Sequence, residues 1–571
     1  MLKPAKSLKE HWFFGPVYNS RGIYFQVVLA SVLINLFALA SSLYIMTVYD
    51  RVIPNNAIES LYALTSIIIV IILFDFVMKI IRGNFIDRAS QKVDRQVSTE
   101  LFDKISRHDT IIGRQATGAL ASTVRDFDLL KEVIGSATFA IFADLPFIIL
   151  FLIVLYWIGG PVAAVPALIV PLVILFAFIL QPIVKRMSEL SMLQGKSKQA
   201  VMVEMIGALE TVKMTQGNKM LRNRWLNSVL NQGLTSAKTK LTSQLASHFA
   251  QFGQQASQIG IVVYGVFLIS SGNLTMGQLI ACVILSGRTM APLGQITGLL
   301  GRMNQARSAY RGLNEVLGVT TEEEERADFV KRPNLKGDIS LRGVNFTYEE
   351  QPNPVLQKIS LDIQAGQKIA ILGRIGSGKT TLLRLICGLQ APDTGAVLLD
   401  NADIRQIRPK DVRKNIGVVL QNPTLFSGTI RDNLLMGKPE ATDDELIEAA
   451  RIAGADSFIG LLPGGFDFPL SERGQELSSG MRQAIAIARA VISKPNILVM
   501  DEPTASMDNA TETQLVDRLM EATTDTTCLF VTHRGAMLKM ADHIIVMEKG
   551  QIAMAGPRDK VLKELQGAAN G

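Results

Sequence analysis

Cysteine is scarce in this chain, with Cys282, Cys387 and Cys528 the only three among 571 residues. They are too few and too scattered for a disulfide scaffold, and no CxxC pair stands among them to hold a metal. This usage predicts reduced, buried, inert thiols in a protein that faces the cytoplasm. Charge is also thin, at 19% of residues, where an ordinary soluble domain carries about 25%. Internal repeats and low-complexity tracts are missing. What the chain has in excess is apolar residues, 48% of the total, with a mean hydropathy of +0.25. That excludes a disordered chain, which would be apolar-poor and charge-rich. The net charge is +7. On a soluble protein such a balance points to nucleic acid; on a membrane protein it points to basic residues held on the cytoplasmic side. Where the charges fall decides.

The apolar residues concentrate in the first half. A spanning helix needs about 20 mainly apolar residues, and six stretches qualify: 24–48, 61–81, 139–158, 161–181, 249–271 and 274–296. Asp144 and Pro146 interrupt the third, and Arg288 the sixth. The loops support all six. Residues 1–22 hold four Lys or Arg, the loop 49–60 one, 82–132 nine and 182–244 ten, while the turns 159–160 and 272–273 hold none. This alternation is the positive-inside pattern. It predicts both termini and both long basic loops in the cytoplasm, the loops long enough to carry helices well beyond the bilayer. A secretory leader is the competing reading of the first stretch, since Ala38-Leu39-Ala40 mimics a cleavage site. The run continues through Val48, too long for a leader's apolar core.

After the sixth stretch comes a charged connector with four consecutive acids, Glu322–Glu325. From about Leu335 short β-runs alternate with helical segments. ISLRGVNFTY (339–348) alternates in period two; IAILG (369–373), ILVMD (497–501) and CLFVTH (528–533) are continuous apolar runs of buried-strand type. The pattern predicts an α/β domain with a largely parallel sheet. The expected division is an N-terminal segment 1–22, a six-helix membrane domain 23–310, a linker 311–334 and an α/β domain 335–571.

The run 369–373 leads into Gly373-Arg374-Ile375-Gly376-Ser377-Gly378-Lys379-Thr380. This is the P-loop pattern GxxxxGK[ST], with a strand before it and an apolar-periodic helix after it. The glycines let successive backbone N–H groups curl around phosphates at a helix N-terminus. Lys379 is placed to reach the β- and γ-phosphates of ATP, and Thr380 to put its hydroxyl on Mg²⁺. Downstream, Asp501 and Glu502 end the apolar run 497–500. A carboxylate there can hold Mg²⁺, and the next can polarise an attacking water.

Between these two elements stands Leu477-Ser478-Ser479-Gly480-Met481-Arg482-Gln483, which is similar to the LSGGQ signature of ATP-binding-cassette (ABC) proteins. Gln421 resembles that family's Q-loop glutamine, Ser506-Met507-Asp508 its D-loop and His533 its switch histidine. Tyr348 resembles its adenine-stacking aromatic. The resemblance implies ATP contacts at Tyr348, Gly373, Gly376, Ser377, Gly378, Lys379, Thr380, Thr381, Gln421, Ser478, Ser479, Gly480 and Asp508. It implies Mg²⁺ contacts at Thr380, Gln421 and Asp501, and catalysis by Glu502 and His533. Ser479 and Met481 depart from the pattern. Ser479 matters if its backbone needs a positive φ, where a Cβ is penalised; the expectation is still a working ATPase.

VYDRVIPNNAIESL (48–61), RDFDLL (125–130) and ADLPF (143–147) resemble the permease–ATPases of bacterial type I secretion, in the subgroup that exports RTX toxins and large RTX adhesins. The implied fold is a six-span type I ABC exporter domain fused to a P-loop nucleotide-binding domain. The implied function is ATP-driven export of unfolded polypeptide from the bacterial inner membrane. The implied partners are a second copy of the chain, a periplasmic adaptor and an outer-membrane duct of TolC type, with no role for nucleic acid. Many members carry an N-terminal peptidase-like domain; here about 22 residues precede the first span, which fits a short or trimmed form. A lipid or drug exporter would share the same cassette, and only the VYDRVIPN and DLPF strings argue against it. Asp75, Asp144 and Arg288 are expected either to line a polar path or to fix helix packing, the latter favoured for Asp144.

Overall fold

The computed structural model describes residues 11–106, 124–135, 141, 143–215, 217–317, 329–348 and 351–569. The chain divides into two compact units, Met1–Thr320 and Thr321–Gly571.

The first unit is helical. A short α1 (Phe14–Asn19) precedes α2 (Arg21–Thr47), α3 (Ile58–Ser106), α4 (Phe127–Gly135), α5 (Phe147–Gly159), α6 (Ala164–Gly207), α7 (Asn218–Ser270) and α8 (Met276–Leu317). The apolar runs supply the helical cores, and Pro171, Pro182 and Pro292 lie inside helices, which neighbouring helices make tolerable in a bilayer. α3 has 49 residues and α7 has 53, so at 1.5 Å per residue each is roughly 75–80 Å long. The hydrocarbon layer is only about 30 Å thick. More than half of each helix therefore projects beyond it, formed by the basic loop sequences.

Five stretches of the described residues are long and apolar enough to cross a membrane: Arg21–Val52, Ile58–Asp103, Phe147–Gly207, Asn218–Ser270 and Met276–Asn314. Two of the six segments read from sequence fall within one of these five stretches. The third of the five holds both α5 and α6, broken at Gly160, whose φ is +54°. Positions 139, 140 and 142 of the expected third span lie outside the described residues, and its remaining α5 has only 13 residues. The apolar part of α3 is 6% buried, an exposure of Ile, Phe and Leu that water does not tolerate and lipid does. α8 runs to Leu317, so residues 311–317 are helix rather than linker.

The second unit layers two sheets. A four-stranded antiparallel sheet has the order β2 (Leu356–Ile363), β1 (Ile339–Phe346), β4 (Thr394–Leu399), β5 (Ala402–Asp403). A six-stranded sheet has the order β12 (Gln551–Pro557), β11 (His543–Glu548), β3 (Lys368–Gly373), β10 (Thr527–Val531), β9 (Ile497–Asp501), β6 (Ile416–Val419). All its pairs are parallel except β11 with β12. A separate two-stranded ribbon pairs β7 (Gly428–Thr429) with β8 (Pro469–Leu470). Both faces of its central strands are covered, which explains their unbroken apolar runs. Ile369, Ile371, Val499, Leu529 and Val531 face the antiparallel sheet in one core. Ala370, Leu498, Met500, Cys528 and Phe530 face helices in another. Cys282, Cys387 and Cys528 are buried, unpaired thiols, and burial pushes the Cys387 thiol up to about 12.

Candidate nucleotide-binding and hydrolysis site

The site forms where β3, β9 and β10 end together. β3 delivers the chain into the loop 373–378, and α9 (Lys379–Ile386) leaves it. Gly378 caps α9 with a φ of +95°. A Cβ there would stand 2.7 Å from Leu356 Cδ2 and 3.0 Å from the Val355 carbonyl oxygen, so both the backbone angle and the space require glycine. Lys379 is 8% exposed. Its ammonium donates to the carbonyl oxygens of Gly373 at 2.7 Å and Arg374 at 3.1 Å, so the loop folds around the base of its own lysine. Burial lowers the lysine's pKa, and the charges of Glu502 and Asp501 partly restore it. The Ser377 hydroxyl is buried with no hydrogen-bond partner among the described residues. An orphaned hydroxyl within a glycine-rich turn is what a phosphate oxygen satisfies.

The parallel register carries β9 to the same level. The Thr380 hydroxyl donates to Asp501 Oδ2 at 2.8 Å. Burial raises the Asp501 carboxyl above its ordinary value and Glu502 adds to this, while Thr380, Lys379 and Arg384 pull it back. Glu502 has a φ of +50°, a left-handed conformation costing a non-glycine residue about 1–3 kcal/mol. Its N–H donates to the Val531 carbonyl oxygen at 3.0 Å, which ties the strained turn to β10. Its carboxylate accepts from Gln421 Nε2 at 3.1 Å and stands 3.7 Å from His533 Nε2. Lys379, Thr380, Asp501, Glu502, Gln421 and His533 are thus gathered from four separate places in the chain. No group of three or more His, Cys, Asp or Glu able to hold a metal stands among the described residues. A hydroxyl and a carboxylate in contact fit magnesium, which takes one or two protein oxygens and completes its shell with phosphate and water.

Tyr348 lies beside this centre. Its ring meets Phe346 edge-on at 4.9 Å between centroids, and its hydroxyl is 3.2 Å from Thr381 Oγ1. Arg384 also donates to that hydroxyl, at 3.4 Å. Sequence reasoning missed Arg384; its position five residues after Lys379 on α9 was the available signal.

The signature and D-loop residues do not join this network. Ser478 caps α10 (Ser479–Val491), accepting from the Met481 N–H at 3.3 Å. Ser479 opens the helix and is not among the residues with positive φ, so the expected conformational penalty does not arise. A Cβ on Gly480 would stand 3.2 Å from the Ser506 carbonyl oxygen, so glycine lets the signature approach the D-loop. Asp508 caps α11 (Asn509–Ala522), accepting from Ala510 N–H at 3.0 Å and Thr511 N–H at 2.9 Å. These bonds hold its carboxyl below the usual range. Arg534, also missed in sequence, joins the switch to the D-loop. It donates to the Ala505 carbonyl oxygen at 3.0 Å and lies 3.5 Å from Glu512, which is 2% exposed.

Each of the three strings in the membrane half places an acid. Asp50 lies in a π-helical turn, Val48–Val52, and accepts from Thr275 Oγ1 at 2.6 Å and the Gly277 N–H at 2.8 Å, capping α8 from another helix. Asp126 is 3.2 Å from Lys196. Asp144 accepts from Arg82 at 3.1 Å on both oxygens and from Asn35 at 3.0 Å. Asp75 pairs with Lys79 at 2.6 Å. Asp75, Asp144 and Arg288 all border one cavity of about 420 Å³.

Two helical and catalytic halves of this kind define a membrane transporter driven by a nucleotide. Residues 24–293 match the family described as ABC transporter transmembrane region, and residues 356–505 match the family ABC transporter. The chain is an ABC transporter, a transmembrane region fused to an ATP-binding domain that couples ATP hydrolysis to transport. It is similar to the Toxin RTX-I translocation ATP-binding protein of Actinobacillus pleuropneumoniae, at 29% identity over 97% of this chain and 78% of that one. The Leukotoxin export ATP-binding protein LtxB of Aggregatibacter actinomycetemcomitans matches at the same identity and coverage. A bacterial Atm1-family ABC exporter solved with ATP bound superposes with a TM-score of 0.85 at 21% identity, covering 95% of this chain and 96% of that one. That last likeness defines the fold, a type I ABC exporter.

Proposed function

We propose that this chain is the ATP-driven exporter of a type I secretion system, moving unfolded RTX-type polypeptide out of the bacterial inner membrane. The observation that carries the reading is the near-full-length similarity to exporters named for RTX toxin and leukotoxin translocation. The bonded roles of Asp50, Asp126 and Asp144 support it, since each string of the resemblance has a physical task. The chain works as a homodimer with six crossings per copy. The turns at 160–163 and 271–275 favour six, because Val162, Ala163 and Leu274 share one apolar cluster and so lie at one level. A periplasmic adaptor and an outer-membrane duct complete the route.

Each chemical step has a residue. Backbone N–H groups of 373–378 and Lys379 hold the β- and γ-phosphates, Ser377 adds its hydroxyl, and Tyr348 faces the base. Thr380, Asp501 and Gln421 would hold magnesium, which supplies charge neutralisation at the phosphates. Glu502 accepts the proton of a water that forms a bond to the γ-phosphorus. The bond from that phosphorus to the β-phosphate oxygen breaks, and ADP and phosphate leave. Gln421 and His533 orient the Glu502 carboxylate, and His533 donates to the γ-phosphate. Ser478 and Gly480 of one copy complete the site of the other. ATP binding draws the nucleotide domains together, and hydrolysis resets them.

The test compares secretion of a tagged RTX cargo fragment in cells carrying the native chain, Glu502→Gln or neither. Native export and its loss in Glu502→Gln are expected, with kcat of the purified variant lowered about 10²–10⁴-fold. Export unchanged without the chain, or ATPase stimulation by lipid but not by cargo, overturns the reading.

A further inference from the structure

The RDFDLL string has a feature that the transport cycle above leaves unused. Arg125 and Asp126 border a cavity of about 540 Å³ between α4, α6, α7 and α8. Lys196, Lys198 and Lys240 also face it, so four cations meet one carboxylate. That carboxylate is already engaged by Lys196 at 3.2 Å, with Arg125 attracting it from farther away. Lys198 lies over the Trp225 ring at 5.9 Å. Lys240 is exposed and has no acidic partner among the described residues. Between the charges the walls mix hydroxyls and glutamine amides with the apolar Leu129 and Met192, and Ser191 and Ser236 stand 2.9 Å apart. An excess of three positive charges around one concavity repels itself until an anion enters.

The depth of the cavity limits which anion this can be. Ser188 is seven residues past Gln181, and Lys240 is nine before Phe249, each along an unbroken helix. At 1.5 Å per residue the nearest wall lies about 10–14 Å beyond the apolar segments. The headgroup layer is only about 5–8 Å deep on each side. The cavity therefore opens below the lipid headgroups, on the side that basic loops assign to the cytoplasm.

We propose that this cavity is a docking site for an acidic stretch of polypeptide on the cytoplasmic face, engaged before entry into the spans. The proposal rests on the polypeptide-exporter reading. Arg125 offers a carboxylate a bidentate fork, and Lys240 adds a mobile point charge at the rim.

The test uses the full chain in nanodiscs of neutral lipid and a fluorescent Asp/Glu-rich peptide, with an Asn/Gln peptide of equal length as control. Anisotropy is expected to show the acidic peptide binding at least about tenfold tighter, and Arg125→Gln/Lys240→Glu is expected to lose at least about tenfold, since charged hydrogen bonds are lost. Arg125→Lys/Lys240→Arg keeps both charges and should keep binding. Equal binding of the two peptides overturns the proposal, as does native affinity in Arg125→Gln/Lys240→Glu or loss in the charge-keeping variant. Complete displacement by inorganic phosphate, or by nanodiscs of anionic lipid, assigns the cavity to those anions and also overturns it. Native cargo export with no acidic preference in binding would remove this site and leave the exporter reading standing.

Discussion

Glu502 carries the greatest backbone strain at the site, and three bonds or contacts hold it there: Val531 at its N–H, with Gln421 and His533 at its carboxylate. Rigidity of this kind would aim the proposed base at one water rather than at solvent. Its neighbour Asp501 works under the opposite constraint. A metal needs the carboxylate, yet burial and the Glu502 charge favour the protonated acid. A raised pKa means that protons compete with magnesium starting at a higher pH than for an exposed aspartate. Calorimetry should therefore find Mg·ATP affinity falling on acidification well before the pH reaches the ordinary Asp value of 3.8. Asp501→Asn should bind weakly and show a flatter profile over the same range. A native profile that stays level down to that value refutes the assignment. At this scale the sequence named the residue types and their order. The strain at Glu502 and the burial of Asp501 were not legible, because both arise from strands that are distant in sequence.

Elements were read best where one physical rule governs them. The continuous runs of β3, β9 and β10 are covered on both faces and appear as expected. The alternating run of β1 is less simple, because its buried residues are Ile339 and Leu341, then Val344 and Phe346. The phase slips by one at Arg342–Gly343, where the pairing register shifts and Gly343 has a φ of +57°. A bulge of this kind inserts one residue and re-aims those that follow. In the membrane half, Asp144 is the acid for which the sequence favours a role in fixing helix packing. It clasps Arg82 of α3 and Asn35 of α2, so it ties both helices to the segment before α5 by charge. Asp144→Ala leaves Arg82 charged and unpaired at 16% side-chain exposure, a change that costs about 3–5 kcal/mol in buried pairs. Thermal unfolding in nanodiscs should show that loss, with Asp144→Ala/Arg82→Gln recovering much of it. Equal stability of the single variant and the native chain would show that the clasp contributes little.

At the scale of the whole molecule, the signature of one chain stands apart from the proposed catalytic centre of the same chain. Ser478, Gly480 and Asp508 cap or approach helices, and none of the described hydrogen bonds runs from them to Lys379, Asp501 or Glu502. In the proposed homodimer, two copies placed head to tail would supply to each other what one lacks. Lys379→Ala removes the phosphate grip of a chain but leaves its signature; Ser478→Arg removes the signature but leaves the grip. Each variant alone should hydrolyse ATP poorly. Co-assembled mixed dimers contain one intact composite site, and should recover turnover that neither variant shows. No recovery in isolated mixed dimers would rule out the shared site.

The sequence by itself determined which chemistry this protein can perform. A P-loop, a carboxylate pair at a strand end and long apolar runs are local patterns, and each reports a local requirement of backbone, charge or solvent. Only the tertiary structure decided how the parts meet. It set Glu502 in a strained turn against Val531, placed Ser479 in a helix where its Cβ costs nothing, and gave Asp50, Asp126 and Asp144 partners from other helices. Those pairings depend on segments separated by up to 227 residues, and packing rather than spacing brings them within bonding distance.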